Sequence, residues 1–278
     1  APDGSMYVAD SRNHRIQRFS TDGQLMNSWG SFADVAQGNA PGGTFNEPWG
    51  IAVAPDGSVF VADTWNYRIQ KFTAGGQFVT MWGYFGQKET PDAFYGPRDI
   101  AFDSQGRVYV TDTGNKRIVI FDQNGGFIAQ FGVAGFDPGQ FDEQVGLAIN
   151  ADNEIFITDT WNQRVQVFIF DDTTQQGIYL RSWDIYGWEG QSVENKPYIA
   201  VDDLGHVFIT DPENFRVLEF NGTGEFIRGW GGYSPSSDGF GLPSGIEVDA
   251  EGQVWVSDAG NNTLLRFTVP EEAQPAGD

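Results

Sequence analysis

Asp99, Tyr198 and Glu247 are the residues whose types and positions best suit chemistry. Each stands where the other copies of an internal repeat carry a small residue. One position reads Gly50, Asp99, Gly146, Tyr198, Gly245; two residues on, the series is Ala52, Ala101, Ala148, Ala200, Glu247. Positions two apart on a strand share a face, so two carboxylates and a phenol are expected to point toward one axis. There they would hold a cation or a polar ligand, and oxygen donors of this kind suit calcium better than zinc. The competing reading is a water-filled channel that tolerates polar groups. No tightly bound metal or other cofactor is expected. With no Cys and only two His, His14 and His206, at different repeat positions, the chain cannot assemble a His-rich or thiolate metal centre.

A second set of polar residues recurs rather than varies. Asp10, Asp63, Asp112, Asp159, Asp211 and Asp258 are each followed three residues later by Asn. Arg comes two residues after that, at Arg15, Arg68, Arg117, Arg164 and Arg216, with Thr263 in the last copy. Asp and Asn hydrogen-bond nearby backbone in turns, and Arg reaches a carboxylate through its planar fork. Six copies of one catalytic residue would be redundant, so these residues read as a structural corner. Between them, the third and fifth link positions vary. The third is Arg12, Trp65, Gly114, Trp161, Glu213, Gly260; the fifth is His14, Tyr67, Lys116, Gln163, Phe215, Asn262. The turn does not need large side chains there. Trp65, Tyr67, Trp161 and Phe215 are therefore expected to be partner-binding anchors on a rigid frame, with Arg12, His14, Lys116 and Gln163 beside them.

The elements that carry these residues form a repeat of about 50 residues. Each unit has four strand-like segments rich in β-branched and aromatic residues and bounded by Gly turns. In the second unit these are 49–53, 59–62, 68–72 and 78–82, with Pro55-Asp56-Gly57 and Ala74-Gly75-Gly76 as turns. Turns between third and fourth strands are also expected at Gly125-Gly126, Gly177 and Gly224. The second strand is apolar at successive positions, which implies a sheet covered on both faces. Blades stacked about an axis provide that cover. An aromatic three residues before the first strand (Phe45, Phe94, Phe141, Phe240, with Val193 in the fifth unit) is expected to plug the gap between blades. The first unit lacks its first strand and the last its fourth. The repeat cores fall near 3–30, 48–83, 97–132, 144–183, 196–231 and 243–268, within one domain over 1–269, followed by a linker-like tail at 270–278.

The Asp-x-x-Asn-x-Arg-Ile/Val run, the Gly-x-Val-Tyr-Val-Thr-Asp lead-in and the Pro-x-Gly-Ile-Ala-Val opening resemble NHL repeats, across residues 3 to 268. The resemblance implies an all-β fold, a six-bladed β-propeller with four antiparallel strands per blade and incomplete terminal blades. It also implies a module that binds protein, peptide or RNA, and the Trp anchors, which suit stacking on sugars, add glycan to the expected partners. The net charge of −22 repels phosphate backbones and argues against nucleic acid as a partner. No apolar run is long enough to span a membrane. The chain starts inside a repeat, so covalently linked further domains and an extracellular or cell-surface location are expected. The leading expectation is a non-catalytic binding or sensor domain. The alternative is a metal-assisted lactonase- or lyase-like enzyme working at the channel.

Overall fold

Blades form because each sheet is apolar on both faces. Val59–Asp63, Val108–Asp112, Ile155–Asp159 and Val207–Asp211 are buried at every residue, so each sheet must be sandwiched between two others. The computed structural model describes residues 1–188 and 195–270. Six antiparallel sheets follow in chain order, the middle four with four strands and the first and last with three. The chain is an all-β six-bladed propeller, as the repeat implied. Among the described residues no helix is long and apolar enough to cross a membrane.

The second blade shows the plan: an inner strand, Pro48–Val53, then Val59–Asp63, Arg68–Phe72 and the outer Phe78–Trp82. A short 3₁₀ turn, Thr64–Asn66, joins the second and third strands. The fifth residue of that link is left-handed in every blade, with φ of 53° to 56° from His14 to Asn262. The Gly after the outer strand has a packing reason. A Cβ on Gly83, at φ 106°, would lie 2.6 Å from the ring of Phe94; Gly30, Gly132 and Gly231 meet Phe45, Phe141 and Phe240 in the same way. These four rings are buried between blades. Val193 lies outside the described residues, and the fifth blade buries Ile185 and Trp188 beside its inner strand instead.

Two local expectations are corrected. The turn expected at Gly177 lies at residues 172–175, because the hairpin of Arg164–Asp171 and Gln176–Asp184 is longer than in the other blades. Gly177 pairs with Phe170 inside that hairpin, and a Cβ there would strike the ring of Phe131 at 2.4 Å. The inner strand of the fifth blade begins at Ile199, not near residue 196. Elsewhere the first inner residue pairs with the corner Asp before a bulge, as in Pro48 with Asp63; this first bridge is missing in the fifth blade. The tail at 271–278 lies outside the described residues.

The inner strands approach closely at the axis. A Cβ on Gly50 would lie 2.4 Å from the carbonyl of Arg98, and one on Gly146 would lie 2.9 Å from Tyr198 Cα. Only glycine allows that approach.

Candidate active site at the channel mouth

The recurring corner positions the loops that enter the inner strands. Asp63 Oδ1 accepts the Asn46 N–H at 2.7 Å, while Oδ2 accepts from Asn66 (2.9 Å), Arg68 Nε (2.8 Å) and Gln70 (2.9 Å). Arg68 continues to the carbonyls of Ala40 (2.6 Å) and Thr44 (2.9 Å). Asp112 with Arg117, Asp159 with Arg164, Asp211 with Arg216 and Asp10 with Arg15 form the same Nε contact at 2.7–2.8 Å. Asp258, facing Thr263, instead accepts from the N–H groups of Gly241 and Leu242 and from Asn261. The link thus clamps the loop that precedes its own inner strand. Link and loop share one face of the disc, around the mouth of the channel.

At that mouth the loop residues Glu47 and Glu143 are left-handed, with φ of 50° and 57°. Glu47 donates its N–H to His14 Nδ1 (3.0 Å) and accepts from Trp65 Nε1 (3.2 Å). Glu143 and Asp142 each lie 3.0 Å from Lys116 Nζ. Between these groups sit two buried cations. Arg98, 4 % exposed, is stacked on Trp49 (4.6 Å) and Trp65 (5.4 Å). Its Nη1 has no hydrogen-bond partner among the described residues. Lys196, 1 % exposed, is stacked on Trp161 at 4.6 Å. Among the described residues its Nζ makes no hydrogen bond, and a Glu143 carboxylate oxygen lies 3.9 Å away.

Tyr198 lies within electrostatic reach of Arg98. Its hydroxyl is buried without a partner among the described residues. Burial raises its pKa; the charge of Asp99 raises it further and that of Arg98 opposes. Asp99 is buried too, with Oδ1 accepting the Ile100 N–H and Oδ2 the Leu147 N–H, both at 2.9 Å. Burial pushes its carboxyl up to about 8 against those two bonds. Burial likewise pulls Lys196 down to about 8; Glu143 opposes this, and the positive Arg98 and Lys116 add to it. Arg98 thus lies within electrostatic reach of both Lys196 and Tyr198, and Asp99 within reach of Tyr198. Asp99 and Lys196 therefore both change charge near pH 8, close enough to neutral for acid–base chemistry.

The three axial residues stay within electrostatic reach, the charge of Glu247 acting on Asp99 and that of Asp99 on Tyr198, but they differ in exposure. Asp99 and Tyr198 are buried, whereas Glu247 is exposed. Both Asp99 oxygens are committed to backbone N–H groups, and among the described residues no three His, Cys, Asp or Glu side chains converge on a metal position. The residues present do not fit the calcium site.

Of the expected anchors, Trp161 is exposed (43 %) and Trp65 half-buried against Arg98 and Glu47. Tyr67 packs on Phe85 at 4.8 Å and Phe215 on Tyr233 at 5.1 Å, each against its neighbouring loop. His14 faces Phe32 at 4.7 Å. Arg12 is exposed, Gln163 is half-buried, and the Gln163 carbonyl accepts the Ile185 N–H. Sequence reasoning missed Arg98, Lys196 and Trp49. A signal was present: Lys196 aligns with Pro48, Pro97, Gln144 and Pro243, and Arg98 with Trp49, Val145 and Ser244. A lone cation at the start of an otherwise buried strand is costly and points to use.

The NHL repeat pattern matches residues 45–72, 94–121, 145–168 and 240–267. A streptogramin B lyase structure superposes with a TM-score of 0.63 at 15 % identity, covering 96 % of this chain and 76 % of that one. A virginiamycin B lyase from Staphylococcus aureus, with quinupristin, gives 0.63 at 15 %, covering 96 % and 78 %. A gluconolactonase from Xanthomonas campestris gives 0.65 at 14 %, covering 97 % and 83 %. At such identities the likeness is one of fold. The expectation of a non-catalytic module is nonetheless corrected, because proteins sharing this fold over nearly its whole length are enzymes.

Proposed function

This chain is an NHL-repeat six-bladed β-propeller, and from that premise we propose that it is a lyase-type enzyme working by proton transfer at the channel mouth. One observation carries the reading: Lys196 Nζ and Tyr198 Oη, both within electrostatic reach of Arg98, are buried with no hydrogen-bond partner among the described residues. A buried polar group left unsatisfied costs about 1–3 kcal/mol, and such costs collect where a substrate supplies the missing partner. The enzymes that share the fold include a streptogramin B lyase.

The residues divide the work by their chemistry. Lys196, an amine above pH of about 8, removes the proton from a carbon beside a carbonyl or carboxyl group. The electron pair left behind forms a carbon–carbon double bond as the C–O bond on the next carbon breaks. Tyr198, held as a phenol, gives its proton to the departing oxygen. Arg98 offsets the negative charge that builds on the carbonyl side. The proton on Lys196 returns to the Tyr198 phenolate through solvent, and the substrate leaves as an alkene and an alcohol with no water consumed. No step is assigned to a metal.

The test is a panel of carbonyl compounds bearing an oxygen leaving group one carbon further on, together with simple lactones. Product alkene is followed by ultraviolet absorbance and acid release by pH-stat. Alkene formation should rise with pH through about 8. It should fall by about 10²–10⁴ in Lys196→Met and in Tyr198→Phe. Acid release without alkene, or rates unmoved by both substitutions, would overturn the reading.

A further inference from the structure

Arg98 presents a specific half-built recognition site. Its guanidinium carbon lies over the rings of both Trp49 and Trp65, and its edge is the part that can hydrogen-bond a ligand. The buried Nη1 lacks a hydrogen-bond partner among the described residues. An arginine stacked in this way is held flat and matches a planar carboxylate. The mouth also sets the ligand's charge and shape. Lys116 is already paired with Asp142 and Glu143, and the chain carries a net charge of −22. One added negative charge is therefore tolerated far better than a dianion or a dense polyanion. Trp161, 43 % exposed, provides a flat apolar ring, and Glu47 and Glu143 provide acceptors for hydroxyl groups. Carboxylate, hydroxyls and a ring that stacks on indole together describe a sugar acid.

We infer that the ligand of the channel mouth is a glycan bearing isolated uronate residues, with the uronate carboxylate seated on Arg98. The inference rests on the proposed lyase reading and names its substrate class. In a uronate linked through the oxygen two carbons from the carboxylate, the hydrogen beside the carboxylate is the one Lys196 would take. Pairing with Arg98 neutralises the carboxylate and so acidifies that C–H bond. The glycosidic C–O bond breaks, Tyr198 protonates the departing sugar oxygen, and an unsaturated uronate remains. The electron count closes without oxidant or water.

The experiment is equilibrium binding, read by intrinsic tryptophan fluorescence and separate from turnover. The probes are D-glucuronate and D-glucuronamide, which share a shape and differ in charge. Glucuronate should bind at least about ten-fold more tightly, and Arg98→Gln should abolish the difference. Equal binding of the two probes would overturn the inference, as would a preference that survives in Arg98→Gln. Should Arg98→Gln not fold, Trp49→Phe provides the second arm: the spectral response to glucuronate should shrink, and an unchanged response would count against the site. Arg98-dependent binding without an ultraviolet-absorbing product from a glycosidically linked uronate would retain the carboxylate site and remove the lyase reading. Turnover of uncharged substrates with no glucuronate preference would do the reverse.

Discussion

Arg68 and Arg98 are buried to the same extent, each 4 % exposed, and they differ in everything else. Arg68 bonds Asp63 and reaches the carbonyls of Ala40 and Thr44. Arg98 has two indole rings and no hydrogen bond among the described residues. The first is a cation whose surroundings were built to satisfy it. The second is a cation kept out of water with its edge unused. A buried charge that holds a loop needs its partner within the chain, whereas one that binds a ligand must leave that position for the ligand. The corner and the channel mouth are therefore structural and functional uses of the same residue type.

The largest expected effect tests the corner. Arg68→Met leaves the Asp63 carboxylate buried without its cation and should cost about 3–5 kcal/mol of unfolding free energy. A loss under about 1 kcal/mol in urea denaturation would show that the corner does not hold the loop. The next effect separates the two regions by pH. Asp99 has its proton affinity raised in the folded state, to about 8. Its contribution to stability is present below the ordinary carboxylate range and is lost as pH rises through about 8. Lys196 is lowered to about 8, so it penalises folding at lower pH, and stability recovers as pH climbs from about 8 toward the usual lysine range. Stability should therefore fall between about pH 4.5 and 8, with a slope of up to about 1.4 kcal/mol per pH unit from one proton. Asp99→Asn should reduce that slope, the remainder coming from corner carboxylates such as Asp63 and Asp112 that burial also raises; an unchanged slope would place its origin elsewhere. The smallest effect lies at the exposed corner of the first blade, where Arg15 and Asp10 side chains are 42 % and 22 % exposed. Arg15→Ala should cost about 0–1 kcal/mol. A loss matching that of Arg68→Met would mean that exposure does not govern the strength of the corner.

The sequence made the corner legible because repetition reveals it. Asp, Asn and Arg return in register, and the only physical demand common to all copies is the fold. The interblade rings Phe45, Phe94 and Phe240 were legible for the same reason. The mouth was less so, because its residues occur once each. Asp99 and Tyr198 stood out against glycine, and they lie within electrostatic reach of each other. Arg98 and Lys196 stand in the sequence as single charges at strand entries, with no second copy to mark them. Only the packing shows that Trp49, Trp65 and Trp161, drawn from links and strands far apart in sequence, enclose them.

The contrast between corner and mouth comes down to the unfolding free energy of Arg98→Met, measured in urea beside Arg68→Met. If Arg98 is held ready for a ligand, replacing it with an apolar side chain of similar volume removes an unpaired buried charge. The variant should then be at least as stable as the parent while losing its preference for glucuronate. If Arg98→Met loses about 3–5 kcal/mol, as Arg68→Met should, then Arg98 is part of the frame and the mouth is not a site built for a ligand.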